Sequence, residues 1–226
     1  MAALRDGGAT ALELGFPFSD PIADGPVLEG AHARALRHGT RWTDLRAAVR
    51  EASRSLPVAV MTYANPVWHR GLDRALGELA AAGASGLIVP DLALEESGPF
   101  RRAARVAGLD LVLLAAPGVP DARLRSIARA SRGFLYLVSR YGTTGTTGSG
   151  PAPDLARLVG LARRAAPALP VLLGFGVRDR ATAARALATG VDGVIVGSAV
   201  EQHLTAPGGV ASLAPWLRSI ASARRA

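Results

Sequence analysis

The chain has 226 residues, 49% apolar and only 5% aromatic, enough for one substantial core and read most simply as a single domain over 1–226. It has no cysteine and no lysine, which excludes disulfides, thiolate nucleophiles and cysteine zinc sites, and equally a Schiff base or covalently held pyridoxal phosphate. The net charge of +8 comes entirely from arginines spread along helical segments rather than gathered with aromatics, so it reads as solvated helix faces and not as a nucleic-acid footprint.

In chain order, 1–8 reads as the tail of a helix and 10–14 as a short strand. A Gly/Pro-rich loop follows to residue 26, then helices near 28–37 and 43–56. Strand 57–63 precedes helix 72–82, strand 86–90 precedes helix 95–107, and strand 110–115 precedes helix 121–130. Strand 134–139 runs into a long Gly/Thr loop, 140–153, before helix 153–166. Strand 170–175, helix 180–188, strand 193–197 and helix 210–223 complete the order. Gly39, Gly83, Gly108 and Gly190 suit the left-handed position just past a helix end, and Thr43 and Asp121 suit helix starts.

Val/Ile/Leu-rich strands alternating with helices imply a parallel sheet covered by helices. Seven strands are one short of a closed barrel. The expected fold is therefore a (β/α)8 TIM barrel lacking its first strand and most of its first helix, since a βαβ unit takes about 30 residues and such barrels run to about 250. An open doubly wound sheet is the competitor, but GFPFSDPIADG after the first strand is not its glycine fingerprint. No apolar run approaches the ~18–20 residues needed to cross a bilayer. The start lacks a secretory h-region, and a cytoplasmic location is expected.

The stretch LELGFPFSDPIADGP carries the sharpest chemistry. Leu12 and Leu14 share one face of the strand, which puts Glu13 on the other, and a carboxylate there needs a partner or a task. Asp24 follows in a loop that Pro17, Pro21, Gly25 and Pro26 keep out of regular structure. A salt-bridged core glutamate with turn-forming aspartates is the plain alternative. Three glycine-rich turns each follow a late strand: SRYGTTGTTGSG from Ser139, Gly174-Phe175-Gly176, and Gly197-Ser198. Backbone N–H groups there can approach an anion closely, and phosphate commonly binds after the last strands of a barrel. No P-loop lysine follows, so a nucleotide P-loop is not expected. The loop 140–153 reads as a lid. Tyr63-Ala64-Asn65-Pro66 and Asp91 leave strand ends and either line the mouth or cap loops, and Tyr136 either lines the cavity or packs. The histidines His32, His38, His69 and His203 match no standard ligand spacing and are expected mostly on helix surfaces or in loops, so no metal is expected.

Taken together, LELGFPFSDPIADGP, YANP, PDLALEES, SRYGTTG, GFGV and VGSA resemble the tryptophan synthase α subunits, in order from about Ala11 to the C-terminus. The resemblance implies retro-aldol cleavage of indole-3-glycerol phosphate to indole and glyceraldehyde 3-phosphate in L-tryptophan biosynthesis. It implies Glu13 as general acid/base and Asp24 at the indole N–H. Thr144 in the lid would hydrogen-bond Asp24, and Gly145, Gly176, Gly197 and Ser198 would hold the phosphate. Tyr136 and Phe175 would border the substrate, while Pro17, Asp20 and Asn65 would face a β subunit in an α2β2 assembly. No cofactor is implied on this chain, since pyridoxal phosphate would belong to the partner. Relative to that family the chain is shorter at its front, where a first strand and an aromatic of the indole pocket would stand. The alternatives are a non-catalytic activator of the β chain and another phosphate-binding barrel enzyme such as a sugar-phosphate isomerase.

Overall fold

A computed structural model describes residues 1–138, 155–174 and 176–225. Among these the elements run α1 Ala2–Asp6, β1 Leu12–Gly15, α2 Pro26–Arg37, α3 Trp42–Ala52, β2 Val58–Met61, α4 Ala64–Arg70, α5 Leu72–Ala82 and β3 Gly86–Ile88. They continue with α6 Gly98–Ala107, β4 Asp110–Ala115, α7 Asp121–Ala130, β5 Leu135–Val138, α8 Leu155–Ala165, β6 Val171–Gly174, α9 Arg180–Leu187, β7 Gly193–Val194, α10 Ser198–Thr205 and α11 Gly209–Ala221. All seven strands lie parallel in chain order, β1 to β7. This is the expected β/α arrangement of TIM-barrel type with seven strands.

The register divides the core into two layers. Leu12, Val58, Val60, Leu87, Leu111, Leu113, Leu135, Leu137, Val171 and Leu173 face the helices and pack with Val49, Leu76, Leu79, Phe100, Leu124 and Leu158. The alternate positions point inward, where Ile88, Val112, Tyr136 and Val138 meet Ala59, Met61, Leu114, Phe134 and Ile195. Strands covered on both faces have no polar side, which is why they read as apolar runs rather than alternating patterns. Glu13 pairs with Ala59 in the register, so the one acidic residue of β1 joins the inward set.

Among the described residues no strand pairs with the outer edge of β1 or of β7. Helices span that side instead. Arg34 on α2 forms an ion pair with Glu201 on α10, and α1 packs on α11 so closely that a Cβ on Gly7 would stand 2.6 Å from Leu217. The Arg218 guanidinium also donates to the Asp6 carbonyl at 3.0 Å.

Several boundaries differ from the sequence reading. The YANP segment does not stay extended. Tyr63 is the N-cap of α4, and the Ala64 N–H donates to Asp91 Oδ1 at 2.9 Å, so Asp91 serves as a cap. Likewise Gly197-Ser198 opens a helix, with Gly197 at the N-cap of α10. Gly83 and Gly108 end α5 and α6 in the left-handed conformation, as the sequence implies. Asp121 opens α7 as expected, behind Pro120 at the N-cap, whereas α3 begins one residue ahead of Thr43, at Trp42, with Arg41 at its N-cap. Among the described residues no helix is long and apolar enough to cross a membrane.

Candidate active site

Because every strand is parallel, the loops that follow their C-terminal ends gather at one rim. Glu13 enters the chamber from β1, and Asp24 comes from the loop between β1 and α2. Tyr136 reaches the chamber from the middle of β5.

Asp24 is 4% exposed. Its Oδ2 accepts the Tyr63 hydroxyl at 2.8 Å and faces His32 Nε2 at 3.1 Å. Tyr63, itself 2% exposed, accepts the Ala23 N–H at 3.0 Å on the same hydroxyl oxygen. The phenol therefore clamps the backbone and the carboxylate of two successive residues. Burial, together with the hydrogen bond to Asp24, pushes the Tyr63 phenol well above its usual range, so it stays a donor.

Glu13 has no such donors among the described residues and is half-buried in the apolar chamber. Burial, and secondarily the Asp24 charge, pushes its carboxyl up to about 7. Two carboxyl groups in one chamber thus have environments that hold one as acid and leave the other supplied with donors. Such separation is a recurrent sign of acid/base pairs. Tyr136 is raised well above 10 by burial, with the charges of Glu13 and Asp24 adding to it, which shows the three groups sharing one electrostatic environment.

Tyr136 has room only because β6 ends in glycine. A Cβ on Gly174 would lie 2.3 Å from the Tyr136 ring. Val138 pairs with Gly174 and Tyr136 with Leu172, so the ring leans toward the end of β6.

Pairing of Leu173 with Val194 sets the turns after β6 and β7 side by side. Gly176 is exposed there with φ 82°, a conformation that glycine adopts without strain. Gly197 caps α10, whose Ser198 and Ala199 N–H groups have no intrahelical partner. Thr144, Gly145 and Phe175, and with them the expected lid 140–153, lie outside the described residues. Of the residues expected to face a partner, Asp20 and Asn65 are exposed and Pro17 is buried.

His32 is the residue that sequence reasoning missed. The histidines were expected on helix surfaces or in loops. This one lies on α2 with its ring against Tyr63, its centroid 6.2 Å away. Only its place about two helical turns past the Asp24 loop, on a helix that must fold back, could have hinted at this. Among the described residues no group of three or more His, Asp or Glu side chains could hold a metal ion.

The family model described as tryptophan synthase alpha chain matches residues 1–211. A tryptophan synthase alpha chain of Picosynechococcus sp. is 43% identical over 221 residues, covering 96% of this chain and 83% of that relative. The alpha chain of Thermococcus kodakarensis is 46% identical over 194 residues, 85% of this chain and 76% of that one. Among solved structures, a Mycobacterium tuberculosis tryptophan synthase chain superposes with a TM-score of 0.89 at 40% identity, over 99% of this chain and 84% of that one. A chain of the Pyrococcus furiosus tryptophan synthase α2β2 complex gives 0.87 at 38% identity, over 98% and 90%. A family model that matches residues 1–211, together with relatives at 40% identity or more across most of the chain, leaves one assignment: the chain belongs to the tryptophan synthase α-chain family.

Proposed function

We propose that this chain cleaves indole-3-glycerol phosphate to indole and glyceraldehyde 3-phosphate, as a lyase subunit of tryptophan biosynthesis. The reading is supported above all by Glu13, an inward carboxyl held near neutrality in the chamber it shares with Asp24.

In this reading the protonated Glu13 delivers its proton to C3 of the indole. That step breaks the ring's aromaticity and places positive charge on N1, where the Asp24 carboxylate meets the N–H. Glu13, now ionised, removes the proton of the side-chain hydroxyl adjacent to C3. The O–H electrons form the aldehyde carbonyl, the C–C bond breaks, and its electrons restore the indole. Glu13 ends the cycle protonated, so the proton balance closes on one residue. The indole is the electron sink, and the reading requires no cofactor on this chain. Positioned acid/base groups of this kind contribute about 10²–10⁴ each.

Gly176, Gly197 and Ser198 are the described residues that would hold the phosphate, through backbone N–H groups and the start of α10. Asp20 and Asn65 would face a tryptophan synthase β chain that consumes the indole and carries the pyridoxal phosphate. The test is indole release from indole-3-glycerol phosphate by the purified chain, alone and with a β chain. Stimulation of the β chain with no indole release in either condition would mark the chain as an activator and end the lyase reading.

A further inference from the structure

His32 lies in the seventh position of α2, with 16% of its side chain exposed, and spans two segments of the preceding loop. Its Nδ1 accepts the backbone N–H of Phe18 at 3.1 Å, and its Nε2 stands 3.1 Å from Asp24 Oδ2. A neutral imidazole has one N–H and one lone pair. A backbone amide always donates, so Nδ1 must present its lone pair and the ring proton must sit on Nε2. The tautomer, assigned from this hydrogen-bond pattern, therefore makes His32 a donor to Asp24.

Oδ2 then has two donors, His32 Nε2–H and Tyr63 Oη–H, while Oδ1 has none among the described residues. A carboxylate with a single donor can swivel about its Cβ–Cγ bond and exchange its oxygens. Donors arriving from two different elements, α2 and the end of β2, remove that freedom. From this geometry we infer that His32 is a positioning residue: it fixes the Asp24 carboxylate so that Oδ1 is the oxygen turned to a substrate N–H. The inference rests on the proposed reaction, in which Asp24 meets the indole nitrogen.

The two ring contacts can be separated. Glutamine at 32 places an amide nitrogen near the position of Nε2 and keeps the donor to Asp24. Asparagine places an amide oxygen near the position of Nδ1 and keeps only the acceptor for Phe18. Leucine keeps neither. The experiment measures kcat and KM for indole release, with the β chain present, for the parent and for His32→Gln, His32→Asn and His32→Leu, alongside their melting temperatures. The expected result is that His32→Gln retains at least about a third of the parental kcat, while His32→Asn and His32→Leu lose about tenfold with KM changed less than about twofold. His32→Asn should nevertheless melt no lower than His32→Gln, since it keeps the tether to the loop. A parent that releases indole while His32→Asn performs as well as His32→Gln, or while kcat simply follows melting temperature, overturns this assignment alone. A parent that releases no indole overturns the reaction itself, and this assignment with it.

Discussion

The Tyr63 hydroxyl stands between Asp24 Oδ2, to which it donates at 2.8 Å, and the Ala23 N–H, which it accepts at 3.0 Å. One buried phenol thus orders both the carboxylate and the peptide that carries it. Tyr63→Phe keeps the ring and its stack on Phe18 but removes both bonds. The variant should lose about 1–2 kcal/mol of stability, the cost of an amide left without its partner, and about tenfold in kcat. Denaturant unfolding and steady-state indole release check the two effects separately.

Removal of either acidic function should abolish most turnover. Glu13→Gln can neither give the C3 proton nor take the hydroxyl proton, and a fall of about 10²–10⁴ in kcat is expected. Asp24→Asn leaves N1 facing a neutral amide and should lose at least about 10². Turnover within a few-fold of the parent would remove the affected residue from its assigned role.

The raised Glu13 carboxyl sets two pH effects of defined sign. The reacting form is the acid, so kcat/KM should fall as pH rises through about 7. For stability, the folded state keeps a proton that the unfolded chain releases above the ordinary value of 4.5. Stability should therefore decline as pH rises from 4.5 to about 7 and level off beyond it. Glu13→Gln removes that component. At pH 8 the variant should exceed the parent by about 3 kcal/mol, and near pH 4 the two should coincide. Urea midpoints at both pH values decide this, and equal midpoints at pH 8 would contradict the assignment.

Gly174 and Tyr136 form a second testable pair. Gly174→Ala drives a methyl group into the ring, and overpacking of this kind costs about 1–3 kcal/mol. In a Tyr136→Leu background the same change should cost markedly less. A double-mutant cycle measures the coupling, and additive effects would mean that the two sites do not touch.

The local signals that proved legible are those that backbone chemistry writes into neighbouring residues. Mainly apolar runs of five to seven residues located every described strand, because a sheet covered on both faces needs little that is polar along it. Alternation within Leu12-Glu13-Leu14 put the carboxylate opposite the helix-facing leucines, and the register against Ala59 agrees. Helix starts were legible at Asp121 and Arg180 but not at α3, where the N-cap is Arg41, a residue with no capping oxygen, and Asp44 accepts the Arg41 N–H at 2.8 Å instead. The short α4 was hidden by Pro66, which fits a first helical turn as readily as a loop, and its cap, Asp91, comes from the next strand end.

By itself, the order of residues settled that the strands are parallel and covered by helices, that lysine imine chemistry is unavailable, and that a glutamate stands among apolar inward positions. Tertiary structure alone decided which donors Asp24 receives. Phe18, Asp24, His32 and Tyr63 lie up to 45 positions apart, on two loops and a helix, and no pattern along the chain records their meeting. The physical reason is one of range. Burial preference and backbone conformation act between near neighbours and leave periodic traces, whereas a hydrogen bond between distant segments exists only once the barrel has brought their elements to one rim.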